Sequence, residues 1–456
     1  MVKPVFAFAK DILPLVCFGL ALAIMLIGYG YLVGARQVFP YAILKEAKSA
    51  GVEFWNWAEL YLPFRKPEDH PHVILWHEPA ADDSVHNTDS EALTFITAYQ
   101  PGGFALFLVD AKGERRHEWR IPPSALAQLQ GADRWRLPAG HDAIMGAHLY
   151  ADGDVVFNIN FKALVRIDRC SNLVWYLKRN AHHSVFVDDE GFIWLPGRRL
   201  VQEARDSLPQ VLPPFWDDLI LKVSPDGKVV QEISLLEALF QGDYLGLVLE
   251  GLQDRPRTTS DDPLHLNDVE LVSADFARHN DFAKEGDILV SMRTIDAVAL
   301  VDKDSHQVKY AMSGNVLRQH DPDALDNGNI LVFDNRTAKG QHNEARYLTE
   351  PQAFGYSRLV EIDPQSLEVV WSFEGTEEAP LYTSIQGAQE QLDNGNVLVV
   401  ESEGGRVFEV DRESREIVWQ FRNRIGNTEA GTLLGRVTGA ARHRASDLPF
   451  LGSRCD

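Results

Sequence analysis

A short pattern recurs six times along the chain and constrains its fold more than any other feature. Each copy is an apolar segment, then a turn led by Asp or Ser, then a segment that usually closes on Trp or Tyr. The copies are Leu108-Val109-Asp110, Arg166-Ile167-Asp168, Lys222-Val223-Ser224, Leu300-Val301-Asp302, Glu361-Ile362-Asp363 and Glu409-Val410-Asp411. Their turn residues lie 58, 56, 78, 61 and 48 residues apart, enough for four strands and loops. Four-stranded units repeated about one axis form a β-propeller, so the sequence predicts an all-β, six-bladed β-propeller.

A second repeat places candidate site residues before glycine turns. The turn at 326–329 contains Asn and Gly, which tolerate positive φ, and an apolar strand follows it. In each copy a residue of interest stands eight positions before the turn glycine: His320 before Gly328, His183 before Gly191, and Gly387 before Gly395. A looser copy begins at His265. Because equivalent positions of blades converge near one axis, we expect His183, His265 and His320 to share one mouth.

The repeats define the predicted domain bounds. The propeller is expected over 92–425, followed by a C-terminal tail at 426–456. The spacing of 78 residues indicates an insert at about 233–264, where Leu235, Leu236, Leu239 and Phe240 form a helical stripe. This insert is either a lid over the mouth or a helix that covers a blade edge.

The N-terminal region contains a long uncharged stretch. Residues 12–35 lie between Asp11 and Arg36, and their apolar run exceeds the ~20 residues needed to cross a bilayer as a helix. The sequence therefore predicts a transmembrane signal-anchor helix at 12–35, between a terminus at 1–11 and a juxtamembrane connector at 36–91. A cleaved signal sequence is the alternative, because Val33-Gly34-Ala35 has the form of a cleavage site.

Composition excludes several function classes. The chain carries 66 acidic against 44 basic residues, a formal charge of −22, whereas nucleic-acid binding needs clustered Lys and Arg. Its three cysteines, Cys17, Cys170 and Cys455, are too few for a disulfide framework or a Cys-rich zinc site. Cys170 and Cys455 would be able to pair if the chain is exported.

No cofactor or metal is predicted from motifs. The sequence contains no Gly-rich nucleotide loop, no nucleophile elbow and no CxxC. Asp321, Asp323 and Asp326 are close together, but they lack the alternating ligands, central Gly and terminal Glu of an EF-hand.

Several segments in one order resemble the bacterial arylsulfotransferase family over roughly 92–423. These segments are His265-Leu266-Asn267-Asp268-Val269, Ser291-Met292-Arg293, Gln319-His320-Asp321, Phe333-Asp334-Asn335, Tyr356-Ser357-Arg358 and Tyr382-Thr383-Ser384-Ile385. The resemblance implies a six-bladed propeller and an exported enzyme without the adenylyl-sulfate donor. Its substrates would be a small aryl sulfate and a phenol, and a sulfo-histidine would carry the sulfuryl group between them. The resemblance also favours an inner-membrane, single-pass chain whose propeller faces the periplasm.

The resemblance assigns expected roles residue by residue. His265 and His320 match the family's two supporting histidines, and Arg336 is the nearest match to its sulfate-holding Arg, with Lys339 or Arg358 as alternatives. We therefore expect His320, His265 and Arg336 to be catalytic. The expected substrate-binding residues are Arg293, Arg358, His183, Asn267 and Asn335, since cationic and donor groups hold sulfate oxygens.

One departure from the family leaves alternatives open. The family's nucleophilic His falls in the segment that reads Glu401-Ser402-Glu403-Gly404-Gly405-Arg406-Val407-Phe408 here, and it contains no His. Either another His, such as His320 or His183, is the nucleophile, or the site binds without turnover. The rival function is a noncatalytic platform that binds a glycan, a small anion or a protein. A propeller with a quinone cofactor is a third reading.

Overall fold

A computed structural model describes residues 22–31, 33, 70, 72–76, 91–121, 143–208, 211, 213–253, 262–337, 356–375, 381–429, 431–453 and 455. The chain divides into two compact units, 1–62 with 256–258, and 63–255 with 259–456. In the smaller unit, residues 22–31 are helical, and much of the predicted span at 12–35 lies outside the described residues. Among the residues described, no helix is both long and apolar enough to span a membrane.

The larger unit consists mainly of strands. The first twelve are β1 (Val73–Trp76), β2 (Ala92–Gln100), β3 (Gly103–Asp110), β4 (Arg115–Trp119), β5 (Ile144–Leu149), β6 (Val155–Ile159), β7 (Ala163–Ile167), β8 (Leu173–Lys178), β9 (Phe186–Val187), β10 (Ile193–Val201), β11 (Phe215–Val223) and β12 (Val229–Ser234). The remainder are β13 (Leu266–Leu271), β14 (Ile288–Met292), β15 (Ala297–Val301), β16 (Val308–Ser313), β17 (His320–Ala324), β18 (Ile330–Asp334), β19 (Arg358–Ile362), β20 (Val369–Glu374), β21 (Ala388–Gln391), β22 (Val397–Glu401), β23 (Arg406–Val410), β24 (Ile417–Arg422), β25 (Arg424–Thr428), β26 (Gly431–Gly435) and β27 (Val437–Arg444). The helices are α1 (Leu235–Gln241), α2 (Leu245–Gln253) and α3 (Ala274–His279), with 3-10 turns at Arg293–Ile295, Ala445–Asp447 and Pro449–Gly452.

The strands form six four-stranded antiparallel sheets, which we call blades 1 to 6. Blade 1 has the order β27-β2-β3-β4, and blades 2 to 6 take β5–β8, β9–β12, β13–β16, β17–β20 and β21–β24 in turn. A seventh, three-stranded sheet has the order β1-β26-β25. None of these sheets closes on itself. The all-β class is thus confirmed, with a propeller-like arrangement of sheets.

The C-terminal region departs from the predicted boundary at 425. Residues 426–456 were expected to be a tail, but they supply β26 and the innermost strand of blade 1, β27. That strand pairs with β2 from Ala92↔Arg444 to Thr97↔Gly439. Its sequence, VTGAARHR, has neither an Asp-led turn nor a closing aromatic residue, so it carries none of the signals that marked the other units.

Hydrophobic contacts join the blades in cyclic order. Six buried clusters each draw on two successive blades, and the last cluster joins blade 6 to blade 1. Representative pairs are Leu106 with Val155, Leu164 with Leu195, Ile220 with Val290, Val298 with Val332, Leu331 with Val399, and Val400 with Phe107. Complete burial of one such side chain stabilises the fold by about 1.5–3 kcal/mol, so the interfaces between blades form most of the core.

The Asp-led turns are confirmed as the links between the third and fourth strands of the blades. Asp110 Oδ1 accepts hydrogen bonds from the backbone N–H groups of Lys112 and Glu114, both at 2.9 Å. Asp168, Asp302 and Asp411 hold their turns in the same way. The carboxylate satisfies turn N–H groups that would otherwise have no partner, as in Asx turns.

The aromatic residues that close the outer strands bond to the next blade. Each donates its side-chain N–H or O–H to a backbone carbonyl there: Trp119 to Gly153 at 2.9 Å, Trp175 to Pro225 at 2.9 Å, Tyr310 to Pro364 at 2.7 Å, Trp371 to Arg412 at 3.1 Å and Trp419 to Ala111 at 3.1 Å. Between blades 3 and 4, Gln231 and His306 bond through their side chains at 2.8 Å. Each unit is therefore tied to its neighbour by hydrogen bonds as well as by apolar packing.

The insert packs on the core between blades 3 and 4. Leu235, Leu236 and Leu239 of α1 are buried in that cluster, which confirms the predicted helical stripe. Ser234 caps α1 by accepting from the backbone N–H of Glu237 at 3.3 Å. Helix α2 packs against the 3-10 turn Arg293–Ile295. The described part of the insert therefore covers a blade edge.

A disulfide fixes the C-terminus to blade 2. Cys170 lies in the turn between β7 and β8, and it pairs with Cys455 across 285 residues of sequence. Next to it, the ring of Phe450 packs on Trp119 and His117 at centroid distances of 5.8 and 5.2 Å. The bridge thus holds the chain end across the boundary between blades 1 and 2.

Removing this bridge should destabilise the protein. A cross-link that closes a loop of this length restricts the unfolded chain, so the Cys170→Ser/Cys455→Ser protein should lose about 2–5 kcal/mol of unfolding free energy. Urea unfolding of the full-length protein, with and without reductant, measures the change. Reductant should destabilise the wild type and leave the double variant unchanged. Equal sensitivity of both proteins to reductant would contradict the assignment.

Candidate functional site

A cavity of about 440 Å³ lies where the innermost strands meet. Its lining comprises Phe95, Thr97 and 438–441 of blade 1, 145–148 of blade 2, 183–186 at blade 3, Asn267 of blade 4, His320 and Asp321 of blade 5, and 386–390 at blade 6. All six blades therefore contribute to one cavity, which is in the size range of sites for small organic ligands.

Irregular backbone directs side chains into this cavity. The pairing register shifts between Ile144 and Ala147 in β5, between Leu266 and Asp268 in β13, and between His320 and Asp323 in β17. A β-bulge places an extra residue on one strand and changes where the neighbouring side chains point. In β17 the extra residues include Asp321, which has φ +52°. His320 and Asp321 are consecutive, and yet both line the cavity.

Three imidazoles from three different blades lie close together, and two of them, His183 and His320, line the cavity. The ring of His183 is 5.2 Å from that of His265 and 6.2 Å from that of His320. Both His183 and His265 precede an inner strand with positive φ, +55° and +57°. Such φ values are uncommon for residues other than glycine and concentrate at functional sites. The three histidines therefore converge from different blades, as their common position in the repeat predicted.

Two glycines permit this close approach. A Cβ at Gly146 would stand 2.2 Å from the backbone oxygen of His183, so β5 reaches the loop of blade 3 only without a side chain. Gly387, with φ +106°, would bring a Cβ within 2.6 Å of the Phe333 ring. The repeat therefore has glycine rather than histidine at the blade 6 position.

The orientation of His320 is set by Asn335 and Gln386. The amide Nδ2 of Asn335 donates to the backbone oxygens of Thr383 and Gln386 at 2.9 and 2.6 Å, so its Oδ1 accepts from His320 Nδ1 at 2.7 Å. His320 Nε2 accepts from the backbone N–H of Gln386 at 3.3 Å. These contacts select the neutral ring with its proton on Nδ1. Burial, and next the positive charge of Arg293, lower the pKa of His320 to about 3.

Arg293 is the cation of this cluster. Its side chain is buried at the start of a 3-10 turn, and its backbone N–H donates to the oxygen of His265 at 3.2 Å. Burial lowers the pKa of His183 well below its usual value, and the neighbouring histidines and Arg293 add to this effect. Burial and the positive charge of Arg293 therefore favour the neutral form of His183 and of His320.

His182 and Asp262 fix the orientation of His183 and His265. Nδ1 of His182 and Nδ1 of His183 are 2.8 Å apart, so one ring donates its proton to the other. His265 Nδ1 bonds to Asp262 Oδ2 at 2.6 Å. Burial opposes the ionisation of Asp262, but His265 outweighs it and the pKa of this carboxyl is lowered overall. Each imidazole therefore has a defined Nδ1 partner.

Two predicted site arginines are not part of this cluster. The guanidinium of Arg336 pairs with Glu374 on the outer strand of its own blade at 3.1 Å. That of Arg358 pairs with Asp334 at 2.8 Å. Both arginines are paired within blade 5, and neither is among the residues that line the cavity. Lys339 lies outside the described residues.

The remaining predicted residues do reach the site. Asn267 lines the cavity and donates through Nδ2 to the backbone oxygen of Gln319 at 2.8 Å. Asn335 bonds His320 as described above. Sequence reasoning missed His182, Asp262 and Gln386. Gln386 has φ +64° immediately before Gly387, so the repeat spacing pointed to its neighbourhood without identifying it.

The segment 401–408, which has no histidine, supports the site through hydrogen bonds. Ser402 Oγ donates to Gln386 Oε1 at 2.8 Å. Glu403 Oε2 accepts from both the backbone N–H and the hydroxyl of Ser384, at 2.6 and 2.7 Å. Since Gln386 donates to His320, blade 6 supports the imidazole of blade 5 from this position.

The part of the cavity on the inner strands is acidic. Asp321 and Glu390 line it, and burial raises the pKa of each to about 7. Asp268, Glu270 and Asp323 follow on neighbouring strands, and burial raises their pKa values as well. Within the described ranges, no group of three or more His, Cys, Asp or Glu side chains is arranged to hold a metal ion.

Comparison with solved structures gives distant similarities. A Bacteroides caccae protein of unknown function is 14% identical, with 78% of this chain and 100% of that chain covered and a TM-score of 0.47. A catalytically inactive virginiamycin B lyase from Staphylococcus aureus, solved with quinupristin, is 10% identical, with 77% and 88% covered and a TM-score of 0.37. The WD40 β-propeller domain of Doa1 is 10% identical, with 81% and 96% covered and a TM-score of 0.39.

Comparison of sequences is more decisive. No curated protein matches the chain. The family model described as arylsulfotransferase (ASST) matches residues 146–424, which include every histidine, arginine and asparagine discussed above as a candidate site residue. The chain therefore belongs to the arylsulfotransferase (ASST) family.

Proposed function

We propose that this protein binds an aryl sulfate at the histidine cluster and transfers its sulfuryl group to a phenol. One observation carries the proposal: His183, His265 and His320 come from three blades and meet where the positive charge of Arg293 acts on His183 and His320. A guanidinium stabilises sulfate oxygens as their charge redistributes. Family membership supports the same chemistry.

The nucleophile in this proposal is Nε2 of His183. This ring lies between the other two, lines the cavity and has its Nδ1 engaged by His182. With the shared proton on His183 Nδ1, its Nε2 keeps a lone pair. That lone pair attacks sulfur while the bond from sulfur to the aryl oxygen breaks, and the aryloxide leaves with the bonding electrons. The oxygen of the acceptor phenol then attacks sulfur, the N–S bond breaks, and the phenol proton passes to solvent or to the departing aryloxide.

His320 and His265 are positioning residues in this arrangement: they flank His183, and the positive charge for the sulfate oxygens comes from Arg293. His320 is fixed by Asn335 and Gln386, and His265 by Asp262. Such bonds restrict the rings to one orientation before substrate arrives, which is the condition for electrostatic stabilisation without reorganisation.

Substitution tests the assignment. In the full-length protein, with a chromogenic aryl sulfate as donor and phenol as acceptor, His183→Asn should lower kcat/KM about 100-fold or more, because the attacking atom is removed. His279→Asn, at an exposed position at the end of α3, is the matched control and should retain wild-type activity. Mass spectrometry of the quenched donor reaction should locate the sulfo group on His183. A sulfo group on His320 would contradict the assignment, and aryl sulfate binding without any transfer would favour the noncatalytic function.

The pH dependence follows from the neutral imidazoles. A histidine with the usual pKa of about 6.5 becomes protonated and loses its lone pair as the pH falls below that value. The pKa of His183 is well below its usual value and that of His320 is about 3. Asp321 and Glu390 have pKa values of about 7 in the same cavity, so the test uses the Asp321→Asn/Glu390→Gln protein. Its kcat/KM for the aryl sulfate should change less than about twofold between about pH 8 and about pH 5. In this protein, a fall that follows a pKa near 6.5 would show that His183 or His320 is protonated in this range.

We also propose that the chain is exported and anchored by its N-terminal segment, with the larger unit outside the cytoplasm. The Cys170–Cys455 bridge supports an oxidising compartment, and the uncharged stretch at 12–35 has the length of a membrane helix. Cells that express the protein should be acid-quenched, and the free thiols alkylated before digestion. The Cys170 and Cys455 peptides should be recovered linked; free thiols at both positions would refute export.

A further inference from the structure

The cavity continues from the histidines to a surface that presents hydrogen-bond acceptors. Carboxylates of Asp321 and Glu390 line this surface, together with the side-chain amides of Gln389 and Asn267. We call these four residues the acceptor surface. The proposed sulfuryl transfer does not use it.

Two amide oxygens on this surface are buried without a hydrogen bond in the described structure. Gln389 is 6% exposed, its Nε2 donates to the backbone oxygen of Asp321, and its Oε1 has no partner. Asn267 is 4% exposed, its Nδ2 donates to Gln319, and its Oδ1 has no partner. Because both NH₂ groups are engaged, the assigned amide orientations leave oxygens rather than donors unpaired. A buried acceptor without a partner is costly, so these atoms indicate a missing donor.

The two carboxylates reinforce this conclusion. Asp321 Oδ2 accepts from the backbone N–H of Gln389 at 2.8 Å, and Glu390 Oε2 accepts from the backbone N–H of Arg442 at 2.8 Å. Each carboxylate thus uses one oxygen on the backbone and has a second available for a ligand.

The ionisable groups around the acceptor surface supply little positive charge. Asp268, Glu270 and Asp323 are carboxyl groups whose pKa values are raised by burial and by neighbouring carboxylates. Arg442 is the cation whose charge acts on Glu390, and its guanidinium bonds to Glu409 Oε2 at 3.0 Å. His148 also lines the cavity, and burial lowers its pKa to about 4, so it adds no positive charge near neutral pH.

We propose that the acceptor surface binds a protonated amine, and that the preferred phenolic substrate carries an ammonium group. This inference rests on the proposed function for its phenol and on the acceptor surface for its cation. An ammonium has three donors and no acceptor, which complements carboxylate and amide oxygens from blades 4, 5 and 6. A metal ion is a poorer match, because no described set of side chains has the arrangement to ligate one.

Burial supports the same choice of ligand. It raises the pKa of Asp321 and of Glu390 to about 7, since a charged carboxylate is disfavoured away from water. A neighbouring ammonium favours the ionised form of both groups. The cation and the carboxylates would therefore stabilise each other in the occupied cavity.

The first test compares three phenols of similar size on the wild-type, full-length protein. Their para substituents are aminoethyl, propyl and carboxymethyl, so the charge at that end is positive, zero and negative. Calorimetry should show that the ammonium phenol binds about tenfold or more tightly than the propyl phenol, as charge-assisted hydrogen bonds predict. The carboxylate should bind most weakly. Equal affinities for the ammonium and propyl phenols would overturn the proposal.

The second test removes one charge from the acceptor surface. Glu390→Gln, a change of nearly equal shape, should weaken binding of the ammonium phenol about tenfold and leave the propyl phenol within about twofold. Asp226→Asn removes an exposed carboxylate from the β11–β12 turn and is the matched control, with no expected effect on either ligand. Equal weakening of both phenols by Glu390→Gln would count against the site. Circular dichroism checks the fold of each variant. If a variant does not fold, the comparison of the three phenols on the wild-type protein still tests the proposal.

These measurements separate the cation site from sulfuryl transfer. Calorimetry needs no turnover, so a preference for the ammonium phenol in a protein that transfers nothing would support the site and refute the proposed function. Transfer to all three phenols with equal KM and equal affinity would support the proposed function and refute the cation site.

Discussion

The structure depends on the bonds that tie each outer strand to the turn of the next blade. Five aromatic side chains donate to carbonyls in the neighbouring sheet, and the bond from Trp419 to Ala111 joins blade 6 to blade 1. Together with the apolar clusters between blades, these bonds fix the distance of every inner strand from its counterparts. The histidine cluster has no covalent or local scaffold of its own, because its members are separated by dozens to more than a hundred residues in sequence. The 5.2 Å between His183 and His265 is a consequence of how blades 3 and 4 pack.

The contacts between blades stabilise the fold, and the inner strands position the site residues. This difference explains why the inner strands are polar and irregular. The second and third strands of the blades are mostly buried, and in blade 4 they are almost entirely apolar, as Ile288–Met292 and Ala297–Val301 show. The packing of these strands stabilises the blades. The inner strand β17 can therefore contain a bulge, a positive φ at Asp321 and a buried His320. Strained or unpaired groups cost of order 1–3 kcal/mol each, and such costs persist only where surrounding structure overdetermines the backbone. The acceptor surface also contains costly groups, namely buried oxygens without a hydrogen bond. The stable strands around it allow these groups to persist.

The sequence was informative where a feature is local and repeated. The turns led by Asp or, in blade 3, by Ser224 identified all six sheets, because one side-chain oxygen organises a turn within four residues. The convergence of His183, His265 and His320 followed from their common position relative to those sheets. The sequence was uninformative where the role of a residue depends on which residue distant in the sequence lies next to it in the fold. Arg336 and Arg358 have the right chemistry for a sulfate, but they pair with Glu374 and Asp334 within their own blade. Similarly, β27 has a Thr-, Gly- and Ala-rich sequence, and only its pairing with β2 identifies it as a strand.

The changed role of blade 6 is the chemical consequence of one absent histidine. In the segment 401–408, Ser402 and Glu403 stand near the position that the resemblance assigns to the nucleophile, and they hold Gln386 and Ser384. Gln386 in turn contacts His320, so this blade has a positioning role in the proposed mechanism. The imidazoles that remain belong to blades 3, 4 and 5, on the side where Arg293 supplies the positive charge. Transfer of the nucleophilic role to His183 would place attack on the blade adjacent to that arginine, with sulfate oxygens held between them. The acceptor surface, which blades 4, 5 and 6 contribute, would then be left to recognise the rest of the substrate, and its acidic character would decide which phenols are accepted.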